Sequence, residues 1–438
     1  MWTEFLSPNV FEFSLQSRRR ARVFLLAAAV SGLWMAAKVV RISLADTLGE
    51  SADKSRLYLA LSLDPVNPRI HRQLGLVYSF SLGDINTSEA VKEFRQAVDL
   101  SPQNAYYRSD LAAACEEVGD NACADQALDR ALSLSPMTPR LHWITANHYL
   151  RTERTAQALA HFQRLLNLSP SYARQTFRLS LRVIPDPQVV YEKILSSGSN
   201  SKLRLAYVDF LSEQGDLGNA YQVWRKFVPK SSPFDFREAQ PFLDHLLDTG
   251  QIPEAQSVWR DLIRLGAVKR PNDPDLTNLV FNGSFERRPL NAGFDWRLHA
   301  GPYVSVDFPE ASSIHGAHCL RVDFTVRDNE EYEPVHQIVP VAPGQTYLLT
   351  AYVRSKDVTS DSGPRLRVLD PLHPESLYAV SEATLGTTSW HPLTTRFETG
   401  TQTHYIRLSI WRPRSRSFPN EISGAFWVDA ISLRPSPD

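Results

Sequence analysis

The sequence predicts a multidomain protein with an N-terminal transmembrane helix, an all-α solenoid of short helical repeats and a C-terminal all-β sandwich. Three observations predict it. An uncharged apolar run follows a cluster of arginines near the N-terminus. Fragments ending in proline recur at Pro65, Pro102, Pro136 and Pro170, spaced by 37, 34 and 34 residues. Beyond residue 278 the helical pattern gives way to alternating apolar runs between turn signals.

The N-terminal run comes first. SRRRAR (17–22) is followed by VFLLAAAVSGLWMAA (23–37), which carries no charge. Continued to Val40, it makes a helix of about 27 Å, with Lys38 reaching for the headgroups. Arg18, Arg19, Arg20 and Arg22 precede it, and Lys38 and Arg41 follow. The charge asymmetry predicts a single-pass inner-membrane protein with residues 1–22 cytoplasmic, an anchor at 23–40 and the bulk of the chain periplasmic. A signal peptide cleaved near Ser43-Leu44-Ala45 and a buried soluble helix are the alternatives.

The repeat follows. ALSLDP, AVDLSP, ALSLSP and LLNLSP close successive units. A period near 34 residues marks stacked helix pairs. One unit has Leu74, Gly75, Tyr78, Ala90, Phe94, Ala97 and Pro102, and the next has Leu111, Ala112, Gly119, Ala124, Leu128, Ala131 and Pro136. The third unit has Ala146, Tyr149, Ala158, Phe162 and Pro170. Small residues let two helices approach, and the proline stops the second. This pattern resembles the tetratricopeptide repeat family, with His71, Arg108 and His142 where that family has tryptophan and three extra residues within 81–88. A degenerate continuation to 267 predicts helices at 172–183, 187–196, 201–214, 216–228, 236–248 and 253–265. Solenoids of this kind bind a protein partner on a concave face. Helical phase puts Arg69, Arg72, Tyr106, Ser109, Glu116, Trp143, Asn147 and Arg151 there, although Trp143 and Tyr106 could equally cover neighbouring helices. In an oxidising compartment Cys115 and Cys123 could pair if their Cβ atoms come within about 4.5 Å; otherwise both are small core residues.

Residues 268–277 carry two prolines and read as a linker. Beyond them CLRVDFTV, TYLLTAYVRS, PRLRVLDP, THYIRLSIWR and AFWVDAISL read as strands of a two-sheet sandwich over 278–438. The ordered series NLVFNGSFE, GFDW, CLRV, PGQTYLLTAYVRS, SWHPLTTRF and FWVDAISL resembles carbohydrate-binding jelly-roll modules. The resemblance implies a structural calcium at Glu286 and Asp429, two carboxylates suited to a hard cation; the alternative is that Glu286 is solvent-exposed and Asp429 accepts hydrogen bonds from a nearby loop. No other cofactor is required. Strand alternation predicts one outward face with Tyr352, Arg354, Arg365, Arg367, Tyr405, Arg407 and Trp411. Aromatic rings suit sugar faces and guanidinium forks suit carboxylates, so the face predicts an acidic glycan; an Arg-rich solvated surface is the alternative. Trp296, Trp390 and Trp427 are expected in the core.

Composition bounds the function. The 438 residues suffice for two or three domains, and 43% hydrophobic with 22% charged residues is an ordinary folding composition. The formal charge of −1 points to no nucleic acid. Three cysteines make neither a disulfide scaffold nor a C-x-x-C zinc site. Phosphate loops, nucleophile elbows and H-E-x-x-H are missing from the sequence. Glu330, Glu331 and Glu333 read as an acidic loop. The expected function is a non-catalytic scaffold or adaptor, binding a protein through the repeats and a glycan through the sandwich, in cell-surface polysaccharide (exopolysaccharide) assembly or export. The alternatives are a purely protein-binding scaffold and a non-catalytic subunit of an envelope glycan enzyme.

Overall fold

The computed structural model describes residues 18–81, 83, 85–195, 201–230, 234–270, 277–299, 301–310, 313–418 and 420–436. Residues 1–17 of the expected cytoplasmic segment, 82 and 84 of the insertion, 196 at one expected helix end and 271–276 of the linker lie outside this description. Two compact units result, Met1–Tyr172 and Ala173–Asp438.

In the first unit, α1 (Arg18–Gly49) is long and apolar enough to cross a membrane. It runs past the expected span at 40. Its last turns pack on α2 (Lys54–Leu63) and α3 (Pro68–Phe80). Ala45 is fully buried there, and Asp46 accepts a hydrogen bond from Asn67 Nδ2 at 2.9 Å. The helix pairs continue as α3 with α4 (Thr87–Leu100), α5 (Ala105–Glu117) with α6 (Asn121–Leu134), and α7 (Pro139–Arg151) with α8 (Thr155–Leu168). Asn67, Asn86, Asn104 and Asp120 cap successive helices by accepting backbone N–H groups. A Cβ on Gly75 would lie 2.8 Å from the Phe94 ring, so the close approach inside this pair needs glycine.

The three residues at the family's tryptophan position share one role. His71 Nε2, Arg108 Nη2 and His142 Nε2 reach the carbonyls of Pro65, Pro102 and Pro136 at 3.2, 3.0 and 2.9 Å. Each ties a helix to the turn that precedes it. Cys115 and Cys123 are joined by a disulfide across the Gly119 turn, with Cα atoms 5.8 Å apart.

The second unit opens with α9 (Ala173–Val183), α10 (Pro187–Ile194), α11 (Ser201–Glu213), α12 (Leu217–Phe227), α13 (Phe236–Asp248) and α14 (Ile252–Arg264). Each starts and stops within two residues of the sequence expectation. The sandwich follows. Its first sheet, sheet A, has the order β1 (Arg297–Leu298), β4 (Tyr332–Pro340), β9 (Tyr405–Arg412), β6 (Arg365–Leu369), β7 (Tyr378–Val380). Sheet B has the order β2 (Val304–Asp307), β3 (Leu320–Val326), β10 (Ile422–Pro435), β5 (Thr346–Val358), β8 (Gly386–Glu398). Inward residues alternate as predicted: Leu349, Ala351, Val353, Leu366, Val368, Ile406, Leu408 and Ile410 are buried between the sheets with Phe426 and Val428.

NLVFNGSFE is not a strand but a turn laced onto the last strand. Leu279 N donates to Leu433 O at 3.0 Å, and Ile431 N donates to Gly283 O at 2.9 Å. Trp296, buried as expected, donates its indole N–H to Asn282 O at 3.1 Å. The helices and the sandwich of this unit also touch. Trp259 of α14 meets Phe281 and Phe294 edge-on at 5.2 and 5.9 Å. Asp244 of α13 accepts from Arg297 Nη2 at 2.9 Å and from Gly293 N at 3.3 Å. Gly293 has φ of +59°, and a Cβ there would strike the Trp259 ring. The described residues on either side of the expected linker, 268–270 and 277, belong to this same unit.

Candidate functional site

The first candidate is a hollow of about 320 Å³ on the first helices of the repeats, lined by Arg72, Asn104, Tyr106, Tyr107, Ser109, Asp110 and Arg140. The helical period brings α3, α5 and α7 side chains together there. Arg72 Nε donates to Asp110 Oδ2 at 2.6 Å. Burial raises the Asp110 pKa against the pull of Arg72. Tyr106 is half-exposed, and Ser109 is buried with its hydroxyl on Tyr106 O at 2.8 Å. Arg69 is exposed on the same helix as Arg72. The remaining expected groove residues are engaged within the repeats. Glu116 takes the Arg151 guanidinium, with Nη2 at 2.8 Å, and His148 Nδ1 at 3.0 Å. Burial raises the Glu116 pKa, but those hydrogen bonds outweigh it and hold the carboxyl below its usual range. Trp143 packs on Phe162 and Tyr172 at 5.9 and 5.5 Å, and Asn147 Nδ2 donates to Trp143 O. Asn104, Tyr107, Asp110 and Arg140 were missed; the last three stand on the first helices of the repeats, and Asn104 caps α5.

The second candidate is the outward side of sheet A. Here the expected single face needs correction, because its seven residues divide between the two sheets. Arg365, Arg367, Tyr405, Arg407 and Trp411 belong to sheet A, whereas Tyr352 and Arg354 stand on β5 of sheet B. Alternation fixes which side of a strand a residue occupies, not which sheet the strand joins. On sheet B, Arg354 sits 4.2 Å over Trp427 and 5.4 Å over Trp390, and Arg321 lies 5.2 Å over Trp427. Trp427 stands opposite both arginines in register. Trp427 and Trp390 thus form an outer cluster with Cys319 and Ala425, not part of the core between the sheets.

On sheet A the arginines already have carboxylates. Glu333 is the second residue of β4, not in a loop as expected, and Glu331 immediately precedes the strand. Arg367 Nη1 bonds Glu331 at 3.0 Å and Arg367 Nη2 pairs with Glu333 at 3.0 Å. Arg407 Nη1 lies 3.7 Å from Glu333, and Arg407 Nη2 lies 3.3 Å from His336 Nε2. Burial, then Arg407, His299 and Arg297, push the His336 pKa down to about 3. Trp411 is only 8% exposed, with Arg367 stacked on it at 4.6 Å, so its ring is not an open platform. Tyr405 is buried too. The open ring here is Tyr378, 55% exposed and edge-on to Trp411 at 6.2 Å. It was missed because β7 is three residues long.

The third candidate is the expected calcium pair. A bulge between Asp429 and Ser432, with Ala430 at φ 52°, turns the Asp429 carboxylate toward the loop at 313–318. Asp429 accepts Ile314 N at 2.9 Å, His315 N at 3.0 Å and Ala430 N at 2.6 Å. Glu286 accepts Ala317 N at 2.9 Å and His318 N at 3.1 Å. Both carboxylates thus hold one loop through amide N–H groups: Asp429 as the alternative weighed from the sequence has it, Glu286 in place of the solvent exposure that alternative gave it. N–H groups are donors and do not fit a calcium shell. Among the described residues, no group of three acidic, histidine or cysteine side chains could hold a metal.

A cavity of about 500 Å³ lies where α14 meets the opening turn, with Trp259, Phe281, Phe294 and Ile263 as its apolar walls and Arg260 and Arg270 among its lining.

A family profile described as tetratricopeptide repeat matches residues 116–173. No curated protein matches the chain significantly. A crystal structure of MamA is similar at 17% identity and a TM-score of 0.28, covering 40% of this chain and 85% of that one. A structure described as "CBM4 structure and function" aligns at 12% identity and a TM-score of 0.27, covering 36% of this chain and 99% of that one. The CBM22-1 xylan-binding domain from Paenibacillus barcinonensis Xyn10C aligns at 15% identity and a TM-score of 0.25, covering 36% of this chain and 93% of that one.

Proposed function

We propose that the chain is a non-catalytic, membrane-tethered adaptor that binds an extended protein segment in the repeat hollow. The observation that carries this reading is the convergence of Arg72, Tyr106 and Arg140, from three successive first helices, on one concave hollow. Its lining offers the Arg140 guanidinium, an exposed ring and the Arg72–Asp110 pair, which suits a segment with an acidic and an apolar side chain. The tetratricopeptide match supports a protein-interaction role. A photo-crosslinker at Tyr106 would capture the partner, and Arg140→Ala, which leaves the Arg72–Asp110 pair intact, would sharply reduce capture at an unchanged melting temperature. Equal capture by that variant would move the partner elsewhere.

The tether is α1, with the N-terminus cytoplasmic and the body outside. The Cys115–Cys123 bond favours an oxidising compartment. A reporter active only outside the cytoplasm, fused after Asp438, tests the topology. Activity of a cytoplasm-only reporter there would reverse it.

A second reading, glycan binding by the sandwich, is favoured by Tyr378 standing open beside polar groups on sheet A. Since Glu331 and Glu333 occupy the Arg367 fork, a neutral polymer suits this face better than an acidic one. The setting we propose for both activities is assembly or export of a cell-surface polysaccharide. Titration with neutral and acidic polysaccharides separates this reading from a purely protein-binding sandwich.

A further inference from the structure

One row of residues crosses the outward side of sheet A in register. Tyr378 of β7 opposes Leu369 of β6, Leu369 opposes Arg407 of β9, and Arg407 opposes Ile338 of β4. Directly opposed residues share a face. Their chain neighbours Val368, Leu408 and Val339 fill the core behind them. The row covers three strand spacings, about 14 Å. Its last member, Ile338, is also a wall of the cavity of about 500 Å³ beside α14. The open Tyr378 ring and that cavity are therefore two ends of one surface.

Beyond Ile338 the surface turns cationic. Arg260 and Arg270 line the cavity, both are exposed, and neither has an ion pair among the described residues. Phe281 also lines a second hollow of about 450 Å³, which carries the exposed Lys269, Arg287 and Arg288. The two linings together hold five cations and one carboxylate, Asp295. That carboxylate is buried and accepts Leu290 N and Trp296 N, each at 2.8 Å. The acids of α14 face elsewhere. Asp261 accepts Trp224 Nε1 of α12 at 3.0 Å and Arg264 Nη2 at 2.7 Å. Glu254 stands seven residues before Asp261, on the same side of the helix.

We infer that the glycan track runs past sheet A into this junction, where Arg260 and Arg270 hold an acidic sugar at the end of an otherwise neutral chain. This rests on the sandwich being a glycan binder. Neutral sugars suit the row, because Glu331 and Glu333 occupy its flanking guanidinium groups. A carboxylate suits the junction, whose arginines are open to a bidentate partner. The Trp259, Phe281 and Phe294 walls suit the apolar face of that last sugar, in a cavity of ordinary ligand size.

The test uses the full chain in detergent, titrated with cellohexaose, mannohexaose and xylohexaose, each neutral or carrying one glucuronic acid at either end. An acidic chain should bind at least fivefold tighter than its neutral parent, and the preference should shrink as salt is raised. Arg260→Gln with Arg270→Gln should erase the preference and leave neutral affinity and melting temperature unchanged. Tyr378→Ala should weaken both chains alike. Asp273→Asn with Asp275→Asn should change nothing; a severalfold gain in acidic binding would mean that these nearby carboxylates already fill the site, and overturns the inference. Equal affinity for neutral and acidic chains, or a preference that survives the double arginine variant, overturns it while glycan binding stands. No binding by any of the chains removes the glycan reading and this inference together.

Discussion

Glu331 accepts the indole N–H of Trp411 at 2.5 Å while also taking the Arg367 guanidinium at 3.0 Å. One carboxylate thus locks an aromatic ring and the cation stacked on it. The aromatic residue that alternation marks as a sugar platform is instead the floor of a polar network. The ring that can meet a ligand is its neighbour Tyr378.

Tyr378→Ala should therefore weaken binding of a neutral polysaccharide by the full chain while leaving its melting temperature within a degree or two. Trp411→Ala should do something different. It removes a nearly buried ring and one of the two donors to Glu331, at a cost of about 3–5 kcal/mol. Calorimetry beside titration checks both. Early melting of the Tyr378 variant would show that its ring is structural.

Asp429 and Glu286 should behave as loop holders. Asp429→Ala leaves the Ile314 and His315 N–H groups without their acceptor, which costs about 2–4 kcal/mol. Calcium and chelator should give the same melting temperature, because the facing atoms are amide donors. A rise with calcium would mean that the ion displaces the loop.

The repeats were legible because one period constrains every helix. Proline stops, Asn and Asp caps and recurrent small residues all agree, so even α9–α14, beyond the clear repeat, begin and end close to where the pattern places them. In the sandwich, period two fixed the inward set, from Leu349 to Ile410, for the same reason. Sheet membership was not legible. β5 and β9 both alternate cleanly, yet they lie in different sheets, and strand order depends on contacts far apart in sequence. The place of Glu333 in a strand was hidden by Pro334, which made the start of β4 read as a loop. The burial of Trp411 depends on an arginine from another strand.

Gly75 supplies a stability test. Its missing side chain is where the Phe94 ring lies, 2.8 Å from an added Cβ. Gly75→Ala should cost about 1–3 kcal/mol by overpacking, despite the better helix propensity of alanine. Adding Phe94→Leu should recover part of that loss, so the double variant is less destabilised than the two single costs combined. Strict additivity in a thermal-unfolding cycle would place the strain elsewhere.

His161 sets a pH dependence in the repeat unit. Its Nδ1 lies 3.1 Å from His142 Nδ1. Burial, then His142 and Arg164, push its pKa down to about 4. The unfolded chain returns this ring to about 6.5. Between those values the unfolded state binds the proton and the folded state does not, so stability falls as pH drops from about 6.5 toward 4 and is unaffected by this group at higher pH. Carboxylates such as Asp125, whose pKa is lowered first by its Arg154 hydrogen bond, add an acid loss of the same sign at lower pH. His161→Gln separates the two. It should flatten the stability curve between pH 6.5 and 4 by up to one proton while leaving the lower limb in place. The measurement is thermal or urea unfolding of the full chain in detergent at half-unit pH steps, for the parent and this variant. An unchanged slope in the variant would show that the ring titrates as it does in water and that the loss in this window belongs to other groups.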